Sequence, residues 1–242
     1  MLPQGKAHLF AELQASILRL QGFKTVSNPS VDVGLGEMHH AFPNKTFPLG
    51  CMHEFISENI EDTAATIGFV SGLLSLITKG GGTSLWISAS GTPFPPAIKQ
   101  FGLEPDRILF VDLKNEREVL EAMDEALKCP ALNAVICEVK DLSFKNSRRL
   151  QLAVEESAVT GFILRHTTRI STTACVSRWR IRPLPSITID SLPGVGFPAW
   201  KVELQKIRNG IPGSWNIQWR EGKFIPAPQE PSILELRKRQ VG

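Results

Sequence analysis

The residues that could do chemistry gather first in one loop, Ser57-Glu58-Asn59-Ile60-Glu61-Asp62-Thr63-Ala64, set inside the stretch FPLGCMHEFISENIEDTAATIGFVSGLLSLIT from Phe47 to Thr78. The stretch reads as a turn at Pro48-Leu49-Gly50, a short apolar strand at Cys51 to Ile56, the loop, and a long apolar helix. A loop between such a strand and such a helix is where a nucleotide-binding chain cradles phosphate. That task needs glycines, so that backbone N–H groups close on the anion, plus a Lys and a Ser/Thr for the phosphates and metal. This loop has neither Gly nor Lys and carries Glu58, Glu61 and Asp62. Like charges repel by about 4 kcal/mol per pair at ~4 Å and intermediate dielectric, so the frame for phosphate is present and the phosphate chemistry is not.

Other candidate groups are weaker. Glu138 closes the apolar run NAVICE, where a carboxylate could help hold Mg²⁺; alone it makes a poor octahedral site, and a strand-end acid facing solvent or an arginine is the plainer reading. His39, His40, Cys51 and His53 suggest zinc, but their spacing fits no standard structural site, and His53 reads as an ordinary polar side chain in or beside the strand. Arg178, Arg180 and Arg182 alternate and so share one strand face, with Trp179 and Ile181 turned to the core. Lys145, Arg148 and Arg149 lie on the polar side of a helix, and Arg165 and Arg169 close the next strand. Together these cations make either a basic surface for DNA phosphates or an acidic partner, or a solvated outer face.

The elements that must position these groups follow from periodicity. Lys6 to Gln21 is an amphipathic helix, stopped by Gly22, with Leu9, Leu13, Ile17 and Leu20 at helical spacing. Within the domain order 1–25, 26–46, 47–225 and 226–242, it precedes a Pro/Gly/Asn-rich linker with room for one short strand, then the core domain, then a flexible tail. The helix either covers its own sheet or mediates self-association or partner binding. Within the core, strands are expected at Thr83–Ala89, Asp106–Leu113, Asn133–Val139 and Gly161–Arg165. They alternate with helices at Pro93–Phe101, Asn115–Lys128 (Asn115 as N-cap, Glu118 three residues on) and Ser143–Ala158. Such alternation implies a mostly parallel sheet covered on both faces. Ala174–Arg182, Trp200–Ile207 and Ser214–Arg220 then read as an antiparallel meander, with turns at Asn209-Gly210 and Glu221-Gly222. Trp200, Trp215 and Trp219 lie on these strands, the last two on one face.

Composition is compatible with this architecture. The chain has 242 residues, 42% of them hydrophobic, and a net charge of +3, which permits nucleic-acid contact without arguing for it. The four Cys are scattered with no C-x-x-C pair, which points to a reducing, cytoplasmic setting. No signal peptide is evident, and the run from Ile67 to Ile77 is too short to span a bilayer, so no membrane is expected.

Five stretches carry a family resemblance: AFPNKTFPLGCMHEF (41–55), FPPAIKQFGLEPDRILFVDL (94–113), EALKCPALNAVICEVKDLSFKNSRRLQLAVEESAVTGFILR (125–165), TTACVSRWRIRPLPS (172–186) and LPGVGFPAWKVELQKIRNGIPGSW (192–215). With the element order, they make the chain resemble the ImuA family of SOS-associated error-prone repair proteins, in its Bacteroidetes form. The resemblance implies a RecA-like α/β core: a mostly parallel twisted sheet, helices on both faces, and an antiparallel C-terminal extension. It places Ser57 and Asp62 at the two P-loop glycine positions, Thr63 at the lysine, Ala64 at the Ser/Thr and Glu138 at the Walker B acid. Glu58 lies inside that altered loop. The implied role is a non-catalytic accessory of translesion synthesis, without cofactor or metal. Its implied partners are an ImuB-like relative of Y-family polymerases, an error-prone replicative-type polymerase and RecA. The alternatives are a divergent ATPase built on Glu138, and an inhibitor that caps RecA filaments or blocks cell division.

Overall fold

The computed structural model describes residues 35–89, 91, 93–187 and 195–228. The expected helix over Lys6–Gln21 and the tail beyond 228 lie outside the described residues. The core is one nine-stranded sheet: β1 (Met52–Ser57), β2 (Thr83–Ser88), β3 (Ile108–Asp112), β4 (Leu132–Val139), β5 (Thr160–His166), β6 (Ser177–Ile187), β7 (Phe197–Ile207), β8 (Gly213–Arg220) and β9 (Lys223–Pro226). They lie in the order β3-β2-β4-β5-β1-β6-β7-β8-β9. Every pairing from β3 to β6 is parallel, and those of β6 with β7, β7 with β8 and β8 with β9 are antiparallel. The mostly parallel α/β class expected from the alternation is therefore the one observed. The change of direction falls one strand later than expected, because β6 pairs parallel with β1. The Glu221-Gly222 turn leads into β9, a strand the sequence pattern did not reveal because it is only four residues long.

β1 sits centrally, between β5 and β6, with all six residues buried. Its alternation feeds two cores. Phe55 joins the layer under α1 (Ile60–Ile77) and α2 (Pro95–Lys99), while Met52 joins the layer under α3 (Glu116–Ala126) and α4 (Phe144–Ser157). Asn115 caps α3 as expected, accepting from Glu118 N–H at 3.0 Å while Glu118 Oε2 accepts from Lys114 N–H at 3.2 Å. Such a cap stabilises a helix by about 1 kcal/mol.

α1 is apolar nearly all round, and among the described residues it is the helix long and apolar enough to cross a membrane. Here the sheet takes up that surface. Gly68 and Gly72, one turn apart, allow the approach: a Cβ at Gly68 would lie 2.8 Å from Phe101 Cζ, and one at Gly72 would lie 2.8 Å from Phe224 Cζ and 3.0 Å from Trp219 Cζ3. Two helical glycines cost about 1 kcal/mol each relative to alanine. They let a layer of Phe101, Trp200, Trp219 and Phe224 close over the helix and its own Phe69. Trp200 and Trp219 are thus core residues, with Trp215 packed at its edge.

The stretch expected as a linker needs correction over 35–46. Gly36–Ala41 and Pro43–Lys45 are 3₁₀ turns, and Leu35, Met38, Ala41 and Phe42 are buried, with Phe47 directly after them. Phe42 meets Phe47 edge-on at 5.5 Å and Trp179 at 5.8 Å. Pro, Gly and Asn set the turns, but the apolar residues between them have a core to enter, and burial of each large side chain stabilises by about 1.5–3 kcal/mol.

Candidate functional site

The strand ends of β1, β4 and β5 and the first turns of α1 and α3 enclose a cleft of about 510 Å³. It lies outside the carboxyl ends of parallel strands, where open α/β sheets bind ligands. Ser57, Thr63, Thr66, Lys114, Asn115, Glu116, Glu138, Lys140, Arg165 and His166 supply its polar lining, and Ile60, Val139 and Leu164 much of its apolar lining.

The expected loop is shorter than its sequence suggested. Only Glu58 and Asn59 separate β1 from α1, so Glu61 to Ala64 form the first turns of the helix. Asn59 Oδ1 accepts from Asp62 N–H at 2.7 Å, and the buried Asp62 carboxylate reaches back to Glu58 N–H at 3.4 Å. Thr63 donates to Asn59 O at 3.0 Å and lies 3.2 Å from His166 Nδ1. Ser57 is buried, its hydroxyl 3.1 Å from that of Thr66. A helix N-terminus is an anion site because its first amides lack partners and its dipole favours negative charge. Here Asn59 takes the Asp62 amide, and the Asp62 carboxylate lies against the Glu58 amide just before the helix.

The three carboxylates read as occupying a phosphate's place are therefore arranged otherwise. Glu58 turns away to pair with Arg180, Asp62 folds back as a cap, and Glu61 is exposed; Ala64 is exposed too and takes no part in the cleft. Ser57, Thr63, Glu138 and Arg165 are the expected positions that line it together. Glu138 Oε1 accepts from Trp86 Nε1 at 2.6 Å. One of its partners is thus an indole N–H, and the half-buried carboxylate also faces the cleft. Among the described residues no group of three His, Cys, Asp or Glu side chains is placed to hold a metal ion.

His53 also departs from expectation. It is fully buried, stacked on Phe47 at 4.6 Å and on Phe162 at 5.4 Å. Nε2–H donates to Pro48 O at 2.7 Å, which leaves Nδ1 to accept from Ser177 Oγ–H at 2.6 Å, and Trp179 Nε1–H donates to Ser177 Oγ at 2.7 Å. Burial pushes its pKa from 6.5 down to about 4, partly offset by the Pro48 carbonyl. Cys51 Sγ lies 3.7 Å from His53, but burial holds the Cys51 thiol far above its ordinary range, so the pair is packed and hydrogen-bonded.

The basic residues divide. Trp179 and Ile181 are fully buried, and Arg178, Arg180 and Arg182 share the opposite face of β6, as the alternation required. Arg165, however, is interior, with its side chain 1% exposed. It donates to Glu54 Oε1 at 2.6 Å, while Glu54 Oε2 accepts from Arg178 Nε at 2.8 Å and Thr173 Oγ1 at 2.9 Å. Arg165 and Arg178 are therefore the counter-charges of a buried carboxylate, which corrects their assignment to an interaction surface. Arg182 and Lys201 share Glu203, Arg148 and Arg149 lie 3.7 and 3.5 Å from Glu155 and Asp124, and Lys145 is exposed.

Glu54 is the residue the sequence reading missed. Its signal was a carboxylate at the centre of the apolar strand MHEFIS, which demands interior cations. The same network fastens the segment after β5. Arg178 Nη2 donates to Ser171 O at 2.5 Å, Lys206 Nζ donates to Thr173 O at 3.1 Å and Cys175 O at 3.2 Å, and Ala174 N–H donates to Ser147 Oγ at 2.9 Å.

No family model matches the chain. Curated relatives do: Protein ImuA from two strains of Caulobacter vibrioides, each 32% identical over 213 residues, covering 83% of this chain and 87% of the relative.

Proposed function

This chain belongs to the ImuA family, and from that premise we propose that it serves the SOS-associated mutagenesis system as a non-catalytic, RecA-like accessory protein. It acts by presenting surfaces on which an error-prone translesion polymerase complex assembles, with an ImuB-like relative of Y-family polymerases as its direct partner. An error-prone replicative-type polymerase and RecA are further members of that assembly, and the setting is cytoplasmic.

One observation carries the reading. The α1 N-terminus, where a triphosphate would rest, is capped by Asn59 and Asp62 from its own chain. A phosphate there would have to displace a buried carboxylate and then sit beside Glu61. The cleft supports a second reading, a divergent ATPase, because Glu138, Thr63, Lys114 and Lys140 all line it. That reading requires the first turn of α1 to open.

Thermal unfolding with and without Mg·ATP tests the choice. A ligand that binds only the folded state raises stability by about 2.7 kcal/mol at a hundredfold excess over Kd. The accessory reading expects no shift in Tm, together with a complex with the ImuB-like protein that forms equally well without nucleotide. A saturable Mg·ATP-dependent rise in Tm refutes it.

A further inference from the structure

We propose that the β4–α4 and β5–β6 connections form one docking platform for an acidic protein segment that carries apolar side chains. Its apolar groups seat on Phe144 and Ile170, and its carboxylates meet Lys140, Lys145 and Arg169. The segment belongs to the ImuB-like protein, an assignment that rests on the accessory reading above.

The two connections leave the carboxyl ends of neighbouring parallel strands, and two side chains tie them together. Arg165 donates from Nε to Lys140 O and from Nη1 to Ser171 Oγ, both at 3.3 Å. Ser147 Oγ–H donates to Phe144 O at 2.8 Å and accepts from Ala174 N–H at 2.9 Å. Ser171 Oγ–H in turn donates to Leu142 O at 3.3 Å, while Arg178 and Lys206 hold the carbonyls of Ser171 and Thr173. Ser143 caps α4 by accepting from Asn146 N–H at 3.1 Å, which fixes Phe144 at the first helical position. A surface fastened in this way has little freedom left to lose on binding.

On this fixed base, Phe144 and Ile170 are each 57% exposed. Lys140, Lys145 and Arg169 are exposed around them, and none of the three forms an ion pair with a described residue. Arg148 and Arg149, further along α4, are by contrast matched to Glu155 and Asp124. Residues 140–145 and 166–172 together hold three Lys or Arg and one acid, Asp141, so the platform carries an excess of positive charge that its own chain leaves unanswered.

Charge and side-chain type select the occupant. A neutral apolar segment would cover Phe144 and Ile170 and leave the cations unmatched. A segment with the inverse pattern answers both: apolar anchors supply affinity, and carboxylates around them steer and orient it. Single-stranded nucleic acid needs a basic groove that follows its backbone and aromatic rings on which successive bases stack. Phe144 is the one Phe, Tyr or Trp in the two connections, and the side chain paired with it on the platform, Ile170, is aliphatic.

The test is the affinity of the full chain for the ImuB-like protein of the same organism, by titration calorimetry. Phe144→Ser and Ile170→Ser are each expected to raise Kd on the order of tenfold. Lys145→Glu together with Arg169→Glu is expected to raise Kd on the order of tenfold as well, and to flatten the weakening that added salt causes in the wild type. Ile211→Ser, at another exposed apolar side chain away from the platform, is expected to leave Kd unchanged. Far-UV circular dichroism checks each fold, and where a variant loses it, hydrogen exchange on the wild-type complex decides: amides across 140–145 and 167–172 are expected to exchange more slowly when the partner is bound. A wild-type chain that does not bind the ImuB-like protein removes the accessory reading and this assignment together. Binding that survives in the folded platform variants, or a complex that leaves exchange across both connections unchanged, overturns the platform alone. So does an oligothymidylate whose binding is lost in these variants while the ImuB-like protein still binds, since the surface is then one for nucleic acid.

Discussion

Substituting His53 gives the sharpest test of the interior, because its effect has a sign and a pH window. The ring is buried and neutral, with a pKa of about 4 against 6.5 in an open chain. Folding therefore excludes a proton that the unfolded chain binds once pH falls below 6.5. The folded state keeps its full His53-related stability above that value, loses it progressively as pH falls toward 4, and loses no more below 4. A difference of 2.5 between those two values corresponds to about 3 kcal/mol at 1.36 kcal/mol per unit, of which about 2 kcal/mol is gone by pH ~5. That is a large share of a typical domain's 5–15 kcal/mol. The assay is urea unfolding followed by tryptophan fluorescence at a series of pH values, for wild type and His53→Gln. Carboxylates titrate in both proteins, so the difference between the two curves isolates the imidazole. The variant is expected to be less stable at pH 8, since a pair of hydrogen bonds and two ring stacks are disturbed, and the gap is expected to narrow by about 2 kcal/mol on acidification to pH ~5. Curves that stay parallel from pH 8 to 5 would refute a buried neutral His53.

Two further substitutions probe the site's foundations. Glu54→Ala strands Arg165 and Arg178 in the interior, so denaturant unfolding should show a loss of about 3–5 kcal/mol, whereas Glu54→Gln, which still accepts one donor, should lose less. Gly72→Ala gains about 1 kcal/mol of helix propensity but drives a methyl to 2.8 Å from Phe224 Cζ, so a net loss of about 1–2 kcal/mol is expected in thermal unfolding. Gly80→Ala, with nothing within 4 Å of its Cβ, is the neutral control.

What could be read from sequence was set by local physics. The helix and strand runs of the parallel half stand out because 3.6- and 2-residue periods are local properties, and Asn115 with Glu118 announces a helix start over four residues. The site resisted for the opposite reason. Whether Asp62 fills an anion pocket or caps its own helix depends on where α1 begins, and helix starts are the least local feature of a pattern rich in Asn, Glu and Asp. Arg165 and Arg169 look alike in sequence. Only strand register, which sets Glu54 beside Ile163 and Arg178, makes Arg165 a counter-charge and leaves Arg169 exposed. The packing of Leu35 to Phe47 was hidden by turn-forming residues whose apolar neighbours find partners such as Trp179 far along the chain, where Ile211 N–H also bonds the Ala41 carbonyl.

These arrangements make one physical point about a site at this position. In a nucleotide-dependent fold the ligand supplies charge that satisfies the first turn of the helix and the groups around it, so the empty state is under-satisfied. Here Asn59 accepts from the Asp62 amide of the first turn, Asp62 accepts from the Glu58 amide just before it, Glu58 is tied to Arg180 on β6, and the strand beneath carries Glu54 bound to Arg165 and Arg178. Each of these three carboxylates, Asp62, Glu58 and Glu54, is engaged within the chain. Under the accessory role proposed above, a triphosphate would have to break the Asn59 and Asp62 hydrogen bonds before it could bind at this helix start.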